Sequence, residues 1–258
     1  MTLPDDYLEK LLVDLAAGQR LLEEVRVFYG PSLRIERREG VDGVSNFHID
    51  PHNPSGLAAS IGLNTTTDRI RAAATHELLH LAQHARGPPV VYTMTGPYTD
   101  VQFTEINEIL KRVVNVVQHD LFIDEFIGTG LPLSEFQTRR RDDPKYRAMA
   151  RRLRGEPTLE DRCRWAFEFL NNHISIKHGD PGAKRLADSC RTHGENAMPE
   201  FKSNADAIEA WVASRAHLDR TKYAPAIRAL LPLLHLPVQV RFCELQESPG
   251  SAPRVKLL

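Results

Sequence analysis

The feature that most constrains this chain is a run of helical spacing from about Asp100 to Ile127. Ile106, Ile109, Leu110, Val113, Val117, Ile123 and Ile127 recur at intervals that fit an α-helix, and no glycine or proline intervenes before Gly128-Thr129-Gly130. A helix of this length needs a second apolar surface to lie against. An earlier segment offers one, running from about Thr67 through Ile70, Ala73, Ala74, Glu77 and Leu81 to Ala85. Hydroxyls and a carboxylate at Thr65-Thr66-Thr67-Asp68 precede it as candidate caps, and Arg86-Gly87-Pro88-Pro89 ends it.

Around these two helices the pattern alternates between classes. Tyr7 to Phe28 has helical spacing and stops at Gly30-Pro31. Leu33 and Ile35, then Phe47 and Ile49, alternate with polar residues as strands do, and Leu57 to Leu63 is a short apolar run suited to a third strand, with turn-formers at 50–56. From 131 to about 235 the breakers at Pro144, Gly155, Pro157, Gly179-Asp180-Pro181-Gly182, Gly194 and Pro199 divide the chain into four or five shorter helices. One more strand follows at Val238 to Leu245, then a loose tail. The expected fold class is therefore α+β and mainly helical, with a soft division near residue 135.

Composition narrows the function. The 33 Lys and Arg residues against 34 Asp and Glu give no field that would favour a polyanion, so no nucleic-acid partner is expected. No basic, apolar leader opens the chain and no run of 18 apolar residues occurs, so no membrane association and a cytoplasmic location are expected. Cys163, Cys190 and Cys243 are odd in number and never spaced as C-x-x-C, which disfavours a disulfide framework or a thiolate metal site. The basic segment Arg139-Arg140-Arg141 with Arg147, Arg151, Arg152 and Arg154 reads as a solvated helix face.

The residues that carry chemistry are Thr75-His76-Glu77-Leu78-Leu79-His80. Histidines four apart share one helix face and can hold one ion, Zn2+ favours imidazole nitrogen, and a catalytic site takes three protein ligands and leaves a fourth position open. Glu77, beside the first histidine, is placed to be the catalytic base. These residues resemble the active-site helix of the zincin metallopeptidases, over about twenty residues. The metzincin extension would require Gly and His where this chain has Gln83 and Arg86, so that branch is disfavoured. His84, a further turn on, is too far along the helix to share the ion.

The third metal ligand must come from another segment, and His119 on the 100–127 helix is the first choice. Asp120 is the alternative, with Asp124 one turn on as its acidic supporter. That spacing is closer to the gluzincin branch, where the resemblance implies a Glu ligand on a following helix. Glu105 and Glu108 are the nearest glutamates, though Glu108 lies opposite Val113 and Val117 and Glu105 only near the edge of their face. Asp120 and Asp124 share the apolar face of Val113 and Val117, where carboxylates want partners, so they are also candidates to support zinc-bound histidines. Tyr92 or Tyr98 could supply a phenol to a developing oxyanion.

The resemblance implies a zincin-like catalytic domain over residues 1–135, with a small sheet above the active-site helix, and a helical portion over 136–258. The expected function is zinc-dependent hydrolysis of peptide bonds by an activated water, with a peptide or a specific intracellular protein as substrate. Two other classes compete with this reading. A non-catalytic interaction protein with a structural zinc is disfavoured by the intact Glu77. Another zinc amide hydrolase of the deformylase kind would need a cysteine upstream of the motif, and none precedes it.

Overall fold

The computed structural model describes residues 2–4, 6–30, 33–40, 43–50, 53–87, 90–97, 99–136, 143–214, 220–248 and 251–257. The protein is α+β and mainly helical. In chain order its elements are α1 (Tyr7–Leu11), α2 (Ala16–Tyr29), β1 (Leu33–Arg37), β2 (Gly43–Asp50), β3 (Asn53–Leu63), α3 (Ile70–Ala85), β4 (Val90–Thr95) and α4 (Asp100–Gly128). They continue with α5 (Leu133–Phe136), α6 (Asp143–Leu153), α7 (Leu159–Lys177), α8 (Pro181–Ala197), α9 (Phe201–Ala213), α10 (Tyr223–Leu233), β5 (Gln239–Ser248) and β6 (Ser251–Leu257). Among the described residues no helix is long and apolar enough to cross a membrane.

The chain folds into two compact units. The first comprises Met1–Tyr92, Phe122–Thr138 and Arg241–Leu258; the second comprises Thr93–Leu121 and Arg139–Val240. In the first, β3 is the centre of a three-stranded sheet ordered β1-β3-β2, parallel to β1 and antiparallel to β2. The register sets Ile35 and Ser45 either side of Ile61, and Arg37 and Gly43 either side of Leu63. Ala59, Ile61 and Leu63 are buried, so this period-2 face is the one packed into the core, together with Leu22, Val25, Leu78, Leu79, Phe122 and Phe126. Helix α3 lies against β2 and β3, and nearly every residue from Ala72 to His84 is buried. A helix buried on all sides leaves few places for polar groups, which makes its histidines and Glu77 conspicuous.

The second unit is built from helices around an aromatic centre. Trp165 meets Tyr146 and Phe201 edge-on at 6.0 and 6.2 Å between ring centroids, and Asn172 donates to the Tyr146 hydroxyl at 2.6 Å. Helix α7 begins with a reciprocal cap in which Thr158 accepts from the Asp161 amide while the Asp161 carboxylate accepts from the Thr158 amide.

Several local expectations differ from what is found. The helix expected over 7–28 breaks between Leu12 and Leu15 into α1 and α2. No side chain caps α3, whose N-cap residue is Arg69; Thr67 Oγ1 accepts from the amide of Arg69 itself and not from an amide of the first helical turn. The Gly87 to Asp100 connection contains β4, and the expected loose tail is β6, antiparallel to β5 with Leu245 opposite Val255. β4 neighbours β5, far away in sequence, so no local pattern announces it, whereas β6 folds back on β5 as a hairpin, with Ser248 opposite Ser251.

Candidate metal centre

On α3, His76 and His80 are one turn apart, and their Nε2 atoms face each other at 3.1 Å. Two ligands of one tetrahedral zinc with Zn–N bonds near 2.0–2.1 Å have nitrogens ~3.3 Å apart. Both rings are seated in aromatic side chains of the first unit. Phe122 meets His80 and His76 edge-on at 4.8 and 5.8 Å between centroids, and Phe136 lies 4.8 Å from His76. The Phe136 carbonyl accepts a hydrogen bond from the His76 ring, a common way of fixing which nitrogen carries the proton and which offers its lone pair. Burial lowers His76 to a pKa of about 4, against that carbonyl's opposing pull, so the ring is neutral near pH 7 and able to ligate.

His119 is the third histidine near them. One ligand atom from each of His76, His80 and His119 lies within 4.8 Å of the others. Its placement follows from α4 itself, because it stands one turn before Phe122 on the same continuous helix. Asn115 Nδ2 lies 3.2 Å from His119 Nε2. Among the described residues these three histidines are the group that could hold a metal ion, and no fourth side chain joins them.

Glu77 is buried, and burial raises its pKa to about 7, although the Ser45 hydroxyl and backbone N–H both donate to its carboxylate and pull the other way. The sheet register explains the contact, since Ser45 pairs with Ile61 on the face that α3 covers. Gly43 permits it: a Cβ there would stand 3.0 Å from Glu77 Cγ and 3.2 Å from Ala73 Cβ. At the far end of α3, Arg86 clasps Glu24 of α2 and Glu125 of α4, its Nη2 2.6 Å from the first and its Nη1 2.6 Å from the second. That clamp ties the three helices together at one point.

Asp120, the alternative third ligand, is engaged elsewhere. Its carboxylate accepts from Lys177 Nζ at 2.7 and 2.8 Å and lies 2.6 Å from His178 Nε2, with only 2% of the side chain exposed. Burial alone would raise its pKa, but the hydrogen bonds and charges of His178 and Lys177 outweigh that and hold it below the usual carboxylate value. Asp124 is exposed instead of lying on a buried face, Glu105 is exposed, and Glu108 is exposed and paired with Lys111 at 2.8 Å. His84 is buried, with its pKa lowered to about 4 by burial, and stands outside the three-histidine group. Tyr98 and the Tyr92 side chain, named as oxyanion donors, lie outside the described residues, as do Arg139, Arg140 and Arg141. Arg147, Arg151, Arg152 and Arg154 are exposed, and Cys163, Cys190 and Cys243 are buried and form no disulfide.

The reason for Asp124 lies in α4. Up to Leu121 the helix buries Ile106, Leu110, Val113 and Val117, whereas from Phe122 it buries Phe122, Ile123 and Phe126, a stripe rotated well away from the first. Asp124 continues the first stripe and so emerges into solvent. Asn115, His119, Phe122 and Phe126 follow one another at spacings of four, three and four, and this second stripe was the available signal for Phe122 and Asn115. Phe136, Ser45 and Gly43 carried no sequence signal, because tertiary packing alone brings them to α3.

No family model, curated protein or solved structure matches this chain.

Proposed function

We propose that the protein is a zinc-dependent metallopeptidase of zincin type, with His76, His80 and His119 as metal ligands and Glu77 as catalytic base. The observation that carries this reading is the convergence of three imidazoles, two of them with nitrogens 3.1 Å apart, without a carboxylate or thiolate among them. The donor set suits zinc: three imidazoles near one another, with His80 buried and His76 held neutral by burial. Three protein ligands with no fourth side chain among the described residues favour a catalytic site over a closed structural one.

A zinc ion held there would supply the Lewis acidity that makes water nucleophilic near neutral pH. The chain's own residues supply the rest. Glu77, one position along from His76, accepts the proton of the attacking water and returns it to the departing amine. Ser45 holds the Glu77 carboxylate from the strand side, so the base is fixed in position before substrate arrives. Among the described strands of its sheet β2 is at an edge, and an edge strand beside the base can align an extended peptide through backbone pairing. That feature favours a peptide over a small amide as substrate. Cytoplasmic action on a peptide or specific protein substrate belongs to the same proposal.

The test separates metal from chemistry. Glu77→Gln is expected to bind zinc as the wild type does and to lose hydrolysis of a quenched-fluorescent peptide library by at least ~100-fold. His80→Ala is expected to lose both. A Glu77→Gln variant with full turnover would exclude this mechanism.

A further inference from the structure

We propose that Asn115 is the positioning residue for His119, setting which of its ring nitrogens is free to take a metal ion; this rests on the metal reading of His76, His80 and His119. A neutral imidazole has one N–H and one lone pair, so whatever bonds to one nitrogen decides the role of the other. His76 has such a partner in the Phe136 carbonyl. For His119 the side chain in that place is Asn115, one turn earlier on α4, with its amide nitrogen 3.2 Å from Nε2.

An amide offers both kinds of partner from one position. With nitrogen facing the ring, Asn115 donates to Nε2 and the ring proton sits on Nδ1. Turned by half a rotation about its last bond, Asn115 presents oxygen, accepts Nε2–H, and leaves the Nδ1 lone pair available. Asn115 thus serves both states of the site: it donates to Nε2 in the metal-free protein and accepts from it when Nδ1 is bound to the ion. A carboxylate could play only the second part.

The position itself is informative. Asn is a poor helix former because its side chain competes with the backbone, yet it stands in the middle of a 29-residue helix, exposed, on the stripe that continues through His119, Phe122 and Phe126. Helix stability would be better served by almost any straight-chain residue there. Contact with the His119 ring gives the amide a role that leucine, lysine or alanine could not fill.

The experiment is a zinc titration of metal-free full-length protein against a competing chelator, for wild type, Asn115→Ala, Asn115→Leu and Asn115→Asp, with thermal unfolding of each. Alanine favours the helix, so Asn115→Ala is expected to unfold at or above the wild-type temperature. Its zinc affinity, and that of Asn115→Leu, should fall 10- to 100-fold, while Asn115→Asp, which can only accept, should stay within a few-fold of wild type. Nitrogen-15 NMR of the zinc-loaded wild type should show His119 with a proton on Nε2 and metal on Nδ1. Asn115→Ala binding zinc within twofold of wild type, an Asn115→Asp variant as weak as Asn115→Ala, or metal on Nε2 of His119 would each overturn the proposal. A wild type that binds no zinc would remove the metal reading as well, which distinguishes the two failures.

Discussion

Two neighbouring residues of α4, His119 and Asp120, belong to polar clusters of opposite character. Asp120 sits with Lys177 and His178 in a buried group where both carboxylate oxygens meet the Lys177 ammonium and one also meets His178. His119 sits near His76 and His80 in a group without a carboxylate or thiolate, in which the Nε2 atoms of His76 and His80 are 3.1 Å apart. A polar cluster that is internally complete stabilises the fold and needs nothing more. A group of imidazoles without a carboxylate has the donor set that zinc takes, and on that our proposal rests. The comparison teaches that burial and hydrogen bonding do not by themselves mark a functional site. What distinguishes the two groups is their chemistry, a carboxylate with its cation and histidine in one and imidazoles alone in the other.

The sharpest break between them is expected for Asp120→Ala. It removes the carboxylate that Lys177 and His178 share and should destabilise the metal-free protein by ~3–5 kcal/mol in denaturant unfolding, while zinc affinity changes by less than about tenfold. If zinc affinity fell as far as in His119→Ala, Asp120 would belong to the metal centre and the distinction would collapse. The same group predicts acid sensitivity. The folded pKa of Asp120 is held below its unfolded value, so its contribution is present above the unfolded pKa of about 4 and is lost as pH falls through the folded value. Asp120→Asn should remove that part of the pH dependence below pH 4.

The histidine group makes the opposite prediction, stability gained by adding a ligand. Zinc at a hundredfold excess over its Kd should stabilise the wild type by ~2.7 kcal/mol and raise its Tm, and should do nothing for His80→Ala. A smaller effect is expected at Arg86, whose guanidinium joins α2, α3 and α4 away from the histidines. Arg86→Ala should cost on the order of 1–2 kcal/mol of stability, reduced by the partial exposure of Glu24 and Glu125, and leave zinc affinity unchanged. Smallest of all is Glu108→Gln, which breaks an exposed pair with Lys111 worth about 0.3 kcal/mol and should leave zinc binding untouched. A large zinc effect there would revive Glu108 as a ligand.

How far the sequence revealed this arrangement depends on the range of the interactions involved. Helices α3 and α4 were legible because their periodicity is uninterrupted and Gly87 and Gly128-Thr129-Gly130 close them. His76, Glu77 and His80 were legible as a group because a helix fixes their spacing locally. His119 was harder, since the apolar residues of α4 describe one face up to Val117 and another from Phe122, and the first hides the second. Treating α4 as having a single buried face put Asp124 inside and gave no weight to the stripe from Asn115 to Phe126. The contacts of Ser45 and Phe136 with α3 join residues distant in sequence, and no local pattern carries them.

The central claim is that three imidazoles, and no other side chain, hold a metal ion. The X-ray absorption spectrum of the zinc-loaded full-length protein at the zinc edge tests it most directly. One zinc per chain, with an imidazole signature of three nitrogens at about 2.0–2.1 Å and a remaining light-atom ligand, is the predicted result. Zinc bound at about 2.3 Å through sulfur would contradict it, as would a chain that retains no stoichiometric zinc.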